Sequence, residues 1–221
     1  MTPPGKCGSP EDISSPSESR PIMTKVTSPT AKTTQANNAT SSGFTVPGLA
    51  KRDGSAVAET LQERLVSLID LSLTLKHIHW NVVGPTFIGV HLMLDPQVDG
   101  VAAMVDETAE RIASLGGSPN GLPGNVVAKR TWNDYSLLRA LVPEHLGALD
   151  LVYAGVIDSH RQAIEAVEVD AISVDLLVRQ TGTLELYQWF VRAHLESASG
   201  VHSTAGSATE RKAASSAKRT A

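Results

Sequence analysis

Five side chains in this 221-residue chain have the types and spacing of a metal site: His79, His91, Asp95, Asp106 and Glu110. His91 and Asp95 stand four residues apart, and so do Asp106 and Glu110. On a helix each pair shares one face. Imidazole nitrogens and carboxylate oxygens suit Fe2+, and carboxylates favour the Fe3+ that oxidation leaves. The single cysteine, Cys7, lies in a remote Pro/Ser-rich stretch, so no thiolate biases the set towards zinc. Helical carboxylates four apart are ordinarily a solvated face, and a lone histidine is ordinarily structural. The five together, beside the apolar Trp80, Leu92, Met104 and Ile112, point instead to ligands.

The elements that must position these residues read as helices. Leu61, Leu65, Leu68, Leu71, Leu75 and Ile78 keep a three-to-four spacing, which predicts a first helix from after Asp53 or Ser55 to about Val82. Gly84-Pro85 stops it. A second helix is expected from about Phe87 to Leu115, bent at Pro96 and ended by Gly116-Gly117. A long loop to Tyr135 follows, with room for a short helix near Gly124–Lys129. Third and fourth helices are expected over about Leu137–Val167, with Pro143 in its first turn, and about Ser173–Ala198. No window alternates apolar and polar residues, so strands are not expected. Four long helices imply an antiparallel bundle, and the long connection implies a crossover.

Both ligand pairs then lie on the second helix. Asp95 and Asp106 are eleven residues apart, roughly 16 Å along the axis, so one ion cannot reach both pairs. Two copies of this helix crossing antiparallel would bring His91 and Asp95 of one chain to Asp106 and Glu110 of the other, twice over by symmetry. His79 can join His91 across the Gly84-Pro85 turn. Glu-x-x-His, the ligand spacing of metal centres inside a single bundle, does not occur.

Charge is uneven. Residues 1–54 carry six Lys/Arg against four Asp/Glu, residues 55–198 nine against eighteen, and residues 199–221 four against one. An acidic body with basic ends results. Residues 1–54 read as a disordered arm poor in large apolar side chains, with Phe44, Val46 and Leu49 able to dock. Residues 55–199 read as the bundle and 200–221 as a flexible basic tail. One cysteine gives no internal disulfide and fits a reducing compartment. No apolar run suits a secretory leader or a membrane span.

The run Lys76-His77-Ile78-His79-Trp80-Asn81, then Gly84-Pro85, then Phe87-Ile88-Gly89-Val90-His91-Leu92-Met93-Leu94-Asp95, resembles the signature of the Dps family of mini-ferritins, its actinobacterial members above all. Asp106-Glu107-Thr108-Ala109-Glu110-Arg111-Ile112 and Tyr187-Gln188-Trp189-Phe190-Val191-Arg192-Ala193-His194 resemble it too. The similarity runs from about Phe44 to Ser199. It implies an all-α, ferritin-like four-helix bundle with a crossover loop carrying a short helix, assembled as a dodecameric hollow shell. It implies a ferroxidase that oxidises Fe2+, preferably with hydrogen peroxide, and stores a ferric mineral. The implied ligands are His79, His91 and Asp95 of one subunit with Asp106 and Glu110 of its mate. Trp80 matches a family tryptophan that intercepts radicals, and its alternative role is packing. A cytoplasmic, nucleoid-associated location follows from the same resemblance.

Glu168, Asp170 and Asp175 cluster at the turn into the fourth helix, where carboxylate rings about a symmetry axis would draw cations inward; a solvated turn with a helix cap is the alternative. The family places pore acids in this region. Arg211, Lys212, Lys218 and Arg219 could bind DNA without sequence preference through multivalent phosphate contacts, or could simply solubilise the chain. The competing functional reading is a nucleoid-compacting DNA-binding shell whose metal site is mainly structural.

Overall fold

The computed structural model describes residues 43–196 and 202–220. Among them are six helices: α1 (Lys51–Asn81), α2 (Phe87–Ser114), α3 (Pro123–Lys129), α4 (Val142–Ala166), α5 (Ala171–Leu195) and α6 (Glu210–Thr220). Short turns pair α1 with α2 and α4 with α5, and the long α2-to-α4 connection carries α3 against α1. This is a four-helix bundle with a crossover, as the periodicity predicts.

The apolar stripes meet in two clusters. Leu68, Leu71, Leu75, Ile78, Val90, Leu94, Leu149 and Tyr153 fill the half near the α1–α2 turn. Val57, Leu61, Leu65, Ile112, Leu115, Val167 and Leu177 fill the other. Gly84, at φ 117, takes a conformation that only glycine adopts without strain. The turn closes with the Phe87 amide donating to the Gly84 carbonyl at 3.1 Å, which folds α2 back along α1.

Several boundaries differ from expectation. α1 starts at Lys51, with Ala50 rather than Asp53 or Ser55 at its cap. Val46 and Leu49 pack on the core while Gly54 seats against Thr45 and Leu49, which fixes the chain before the predicted start. Phe44 stays exposed. α4 starts at Val142 rather than near Leu137, because Pro143 suits only the first turn. Its Glu144 carboxylate accepts from the Leu141 amide at 3.1 Å. Strands were not expected, yet Val82–Val83 pairs in parallel with Ala140–Leu141 and ties the end of α1 to the start of α4. Pro96 is accommodated within an unbroken α2.

The largest departure is the C-terminal segment, expected to lack order. Residues 210–220 form α6, which lies on α4 with Ala213, Ala214 and Ala217 buried. Its small side chains fit against Gly147, where an added Cβ would stand 2.8 Å from the Ala213 carbonyl oxygen and 2.9 Å from the Ala217 Cβ. The Glu210 carboxylate accepts from the Ser136 amide at 2.7 Å, and Lys218 pairs with Glu144 at 3.2 Å. Alanine spacing on a short polar helix is a weak hydrophobic signal, so composition alone reads as a tail. No helix among the described residues is long and apolar enough to cross a membrane. The expected arm lies mostly within residues 1–42, outside the described residues.

Candidate metal centre

His79 ends α1 and His91 lies in the second turn of α2, so the Gly84 turn brings them face to face. Their rings stack at 3.6 Å between centroids. Each ring is held by the other's backbone: His79 Nδ1–H donates to the His91 carbonyl at 3.0 Å, and His91 Nδ1–H donates to the His79 carbonyl at 2.9 Å. With both Nδ1 atoms committed as donors, both Nε2 atoms keep a lone pair, the tautomer a metal ligand needs. Asp95, one turn beyond His91, places Oδ1 3.3 Å from His79 Nδ1.

Each of the three residues offers a ligand atom, and these atoms lie within 4.8 Å of one another. A first-row ion with bonds near 2.1 Å spreads its ligand atoms by roughly 3–4 Å, so the cluster has the scale of a metal site. His79 is buried, whereas His91 and Asp95 are partly exposed, which leaves the cluster open on one side. Lys76 enters here and was not singled out from sequence. Its Nζ donates to Asp95 Oδ1 at 3.1 Å. That hydrogen bond, against partial desolvation and with nearby positive charge, holds the Asp95 carboxyl below the usual carboxylate range. The signal was available, since Lys76 lies three residues before His79 on the same helix face.

Asp106 and Glu110 do not join this cluster within the chain. Both are exposed on α2, Asp106 eleven residues beyond Asp95 and therefore roughly 16 Å further along the axis. Exposed apolar groups neighbour the cluster: Trp80, 70% exposed, follows His79, Leu92, 60% exposed, follows His91, Ile88 is exposed one turn earlier, and the Phe87 ring lies 6.0 Å from that of His91. Large apolar groups massed around a half-built polar site mark a surface that another molecule covers.

The other singled-out residues separate. Asp170 is buried and receives Arg111 Nη2 at 2.5 Å and the Ser173 hydroxyl. Desolvation pushes its carboxyl upward, but the Ser173 and Arg111 hydrogen bonds and the Arg111 charge outweigh that and hold it below the usual range. Within one chain Asp170 is thus a structural ion-pair partner at the head of α5. Glu168 is exposed, and Asp175 is exposed and paired with Arg179 at 3.2 Å. Asp175 lies past the first turn of α5, which begins at Ala171 rather than Ser173. On α6, Arg211 and Lys212 face solvent, Lys218 is held by Glu144, and Arg219 donates to the Ser215 and Ser216 hydroxyls.

A crossover four-helix bundle of this kind is a ferritin-like architecture, and its candidate metal ligands, the histidine–carboxylate cluster, lie at the end of α1 and the start of α2. Comparison with known proteins agrees: residues 58–201 match the ferritin-like domain family. The DNA protection during starvation protein of Mycolicibacterium smegmatis is 56% identical over 177 residues, 80% of this chain and 97% of that protein. The solved Mycobacterium smegmatis Dps structure superposes with TM-score 0.74 at 56% identity, covering 75% of this chain and 95% of that one. The fine tangled pili major subunit of Haemophilus ducreyi is 54% identical over 157 residues, 71% of this chain and 83% of that protein. This chain belongs to the Dps family of ferritin-like proteins. One relative at 54% identity carries a pilus name, so kinship alone does not define the activity.

Proposed function

We propose that this protein is a ferroxidase and iron-storing mini-ferritin that oxidises Fe2+, with hydrogen peroxide as the preferred oxidant, and keeps the ferric product in a dodecameric shell. The observation that carries this reading is the His79–His91–Asp95 cluster, with both imidazoles fixed in the metal-binding tautomer. Three ligands on an open face make half a site. Asp106 and Glu110 of the partner subunit would complete it across a two-fold contact, with Trp80, Ile88 and Leu92 covered by the same contact. Two carboxylates added to two imidazoles and Asp95 give an oxygen-rich set that favours Fe3+. Two Fe2+ and one peroxide, taking up two protons, then yield two Fe3+ and two waters, with no free iron left beside peroxide. Trp80, exposed next to a ligand, is placed to intercept one-electron oxidants that escape.

Iron entry would draw on Glu168 and Asp175 at the head of α5, in a region where symmetry-related copies could form an acidic ring. The test is stopped-flow Fe2+ oxidation with peroxide on the assembled particle. The wild type should bleach Fe2+ rapidly and retain iron on gel filtration, whereas His91→Ala/Asp95→Ala should lose the fast phase. Unchanged rates would reject the site.

A second activity, sequence-independent DNA binding in a cytoplasmic, nucleoid-associated setting, is favoured by one observation. α6 turns Arg211 and Lys212 outward while its alanines face α4. Repeated over a shell, a fixed basic face gives multivalent phosphate contacts whose affinity falls steeply with salt. Gel retardation of Arg211→Ala/Lys212→Ala at low salt checks it; wild-type retardation by the variant would remove α6 as the contact.

A further inference from the structure

Midway along the bundle, between the two apolar clusters, lies a polar layer to which all four long helices contribute. Arg64 (α1), Thr108 (α2), His160 (α4) and Gln180 (α5) are buried, His160 and Thr108 at 0% exposure, Gln180 at 2% and Arg64 at 8%. Nothing in the metal cluster uses them. Their hydrogen-bonding capacity can be followed atom by atom. His160 Nδ1 lies 3.1 Å from the Val156 carbonyl, which only an Nδ1–H can satisfy, so the neutral ring presents Nε2 as an acceptor. The Gln180 amide donates both hydrogens, to the Met104 carbonyl at 3.3 Å and to Thr108 Oγ1 at 3.1 Å, so its Oε1 is also an acceptor. The Gln180 side chain approaches the His160 ring, yet two acceptors cannot bond each other. Arg64 lies close enough to disfavour a charged His160, and its Nε and Nη1 are shielded donors. None of these four atoms has a hydrogen-bond partner among the described residues: Arg64 Nε, Arg64 Nη1, His160 Nε2 and Gln180 Oε1.

Each buried polar group left unpaired would carry the full penalty of its lost hydration. Protonating His160 would let it donate to both Val156 and Gln180, but burial and the Arg64 charge oppose that. An anion would satisfy Arg64 but would face two acceptor lone pairs. One molecule meets the whole set: a water accepts two hydrogens and donates two, and buried waters ordinarily make two to four such bonds. We propose that this layer is a closed hydration site, one water accepting from Arg64 and donating to His160 Nε2 and Gln180 Oε1. The buried Arg64 guanidinium also disfavours a divalent cation in this layer, the kind of place where di-iron bundles hold metal between facing helices.

High-resolution diffraction from crystals of the full-length particle, with bromide and Co2+ soaks as anomalous probes, tests the proposal. The expected result is one non-anomalous density peak within hydrogen-bond range of Arg64, His160 and Gln180, and no bromide or cobalt signal in that layer. An anomalous bromide or cobalt peak there overturns it, and so does direct bonding of Arg64 to both acceptors with no density between. In solution, the His160 ring should show the Nδ1–H tautomer in nitrogen-15 spectra at neutral pH; an imidazolium or Nε2–H ring also overturns it.

Discussion

Replacing Gly147 with valine should undock α6 while leaving the bundle folded. Any Cβ at this position meets the Ala213 carbonyl oxygen at 2.8 Å and the Ala217 Cβ at 2.9 Å, and neither a backbone carbonyl nor an alanine can swing aside. Overpacking of this kind costs about 1–3 kcal/mol, a shift of about 5- to 150-fold in a docking equilibrium. The helix propensity gained by removing a glycine from α4 offsets only a few tenths of that. α6 has 11 residues, too few to hold a helix in water unaided, so a displaced α6 melts. Its four cations, Arg211, Lys212, Lys218 and Arg219, are trypsin sites, and cleavage in the native state samples the open population. Intact-mass analysis of a trypsin time course should therefore show cleavage in α6 accelerated by at least about fivefold in Gly147→Val. Gly155→Ala is the control, since a Cβ there meets nothing within 4 Å and should leave α6 protected. Wild-type cleavage rates in Gly147→Val would refute the packing of α6 in this groove.

Three further outcomes follow from particular contacts. His160 titrates at about 4 instead of 6.5, because burial and then the Arg64 charge disfavour its protonation. Its folded value lies below the unfolded one, so the stability it contributes is complete above about pH 6.5 and is lost as pH falls towards 4. The loss amounts to about 3 kcal/mol per subunit; urea unfolding at pH 7 and 4.5 should show that slope flattened in His160→Gln, and an equal slope would discard the assignment. Lys76→Met removes a cation from Asp95 and should tighten Fe2+ binding severalfold by calorimetry, because the ammonium and the iron compete for one carboxylate; weaker binding would instead make Lys76 a required positioning group. Asp170→Asn leaves the half-buried Arg111 without its counter-charge and should cost about 3 kcal/mol in unfolding experiments; a slower iron uptake at unchanged stability would favour the pore role for Asp170.

Much of this molecule was legible in its sequence because helix periodicity is a local signal. Leucines at three-to-four spacing define α1, and the glycine–proline turn after Val83 defines its end. The pairing of His79 with His91 was readable because the turn between them is short, so sequence proximity implied spatial proximity. What escaped depended on tertiary contacts. The docked arm sets the start of α1, and no cap residue announces it. The parallel pairing of Val82–Val83 with Ala140–Leu141 joins segments nearly sixty residues apart and involves only two residues in each strand. α6 presents three alanines on a polar helix, and only the groove at Gly147 gives them something to bury against. The mid-bundle layer was invisible for a similar reason, since Arg64, Thr108, His160 and Gln180 are separated along the chain and only Thr108 falls within a recognisable run, which does not announce its buried role.

The account rests on iron being held between two subunits, and anomalous diffraction at the iron edge from crystals of the assembled protein soaked in Fe2+ tests it directly. The predicted map has an iron peak bonded to His79, His91 and Asp95 of one subunit, with Asp106 and Glu110 of the partner subunit closing the other side. Iron found elsewhere, or bound by the first three residues with no carboxylate from a neighbour in reach, would contradict it.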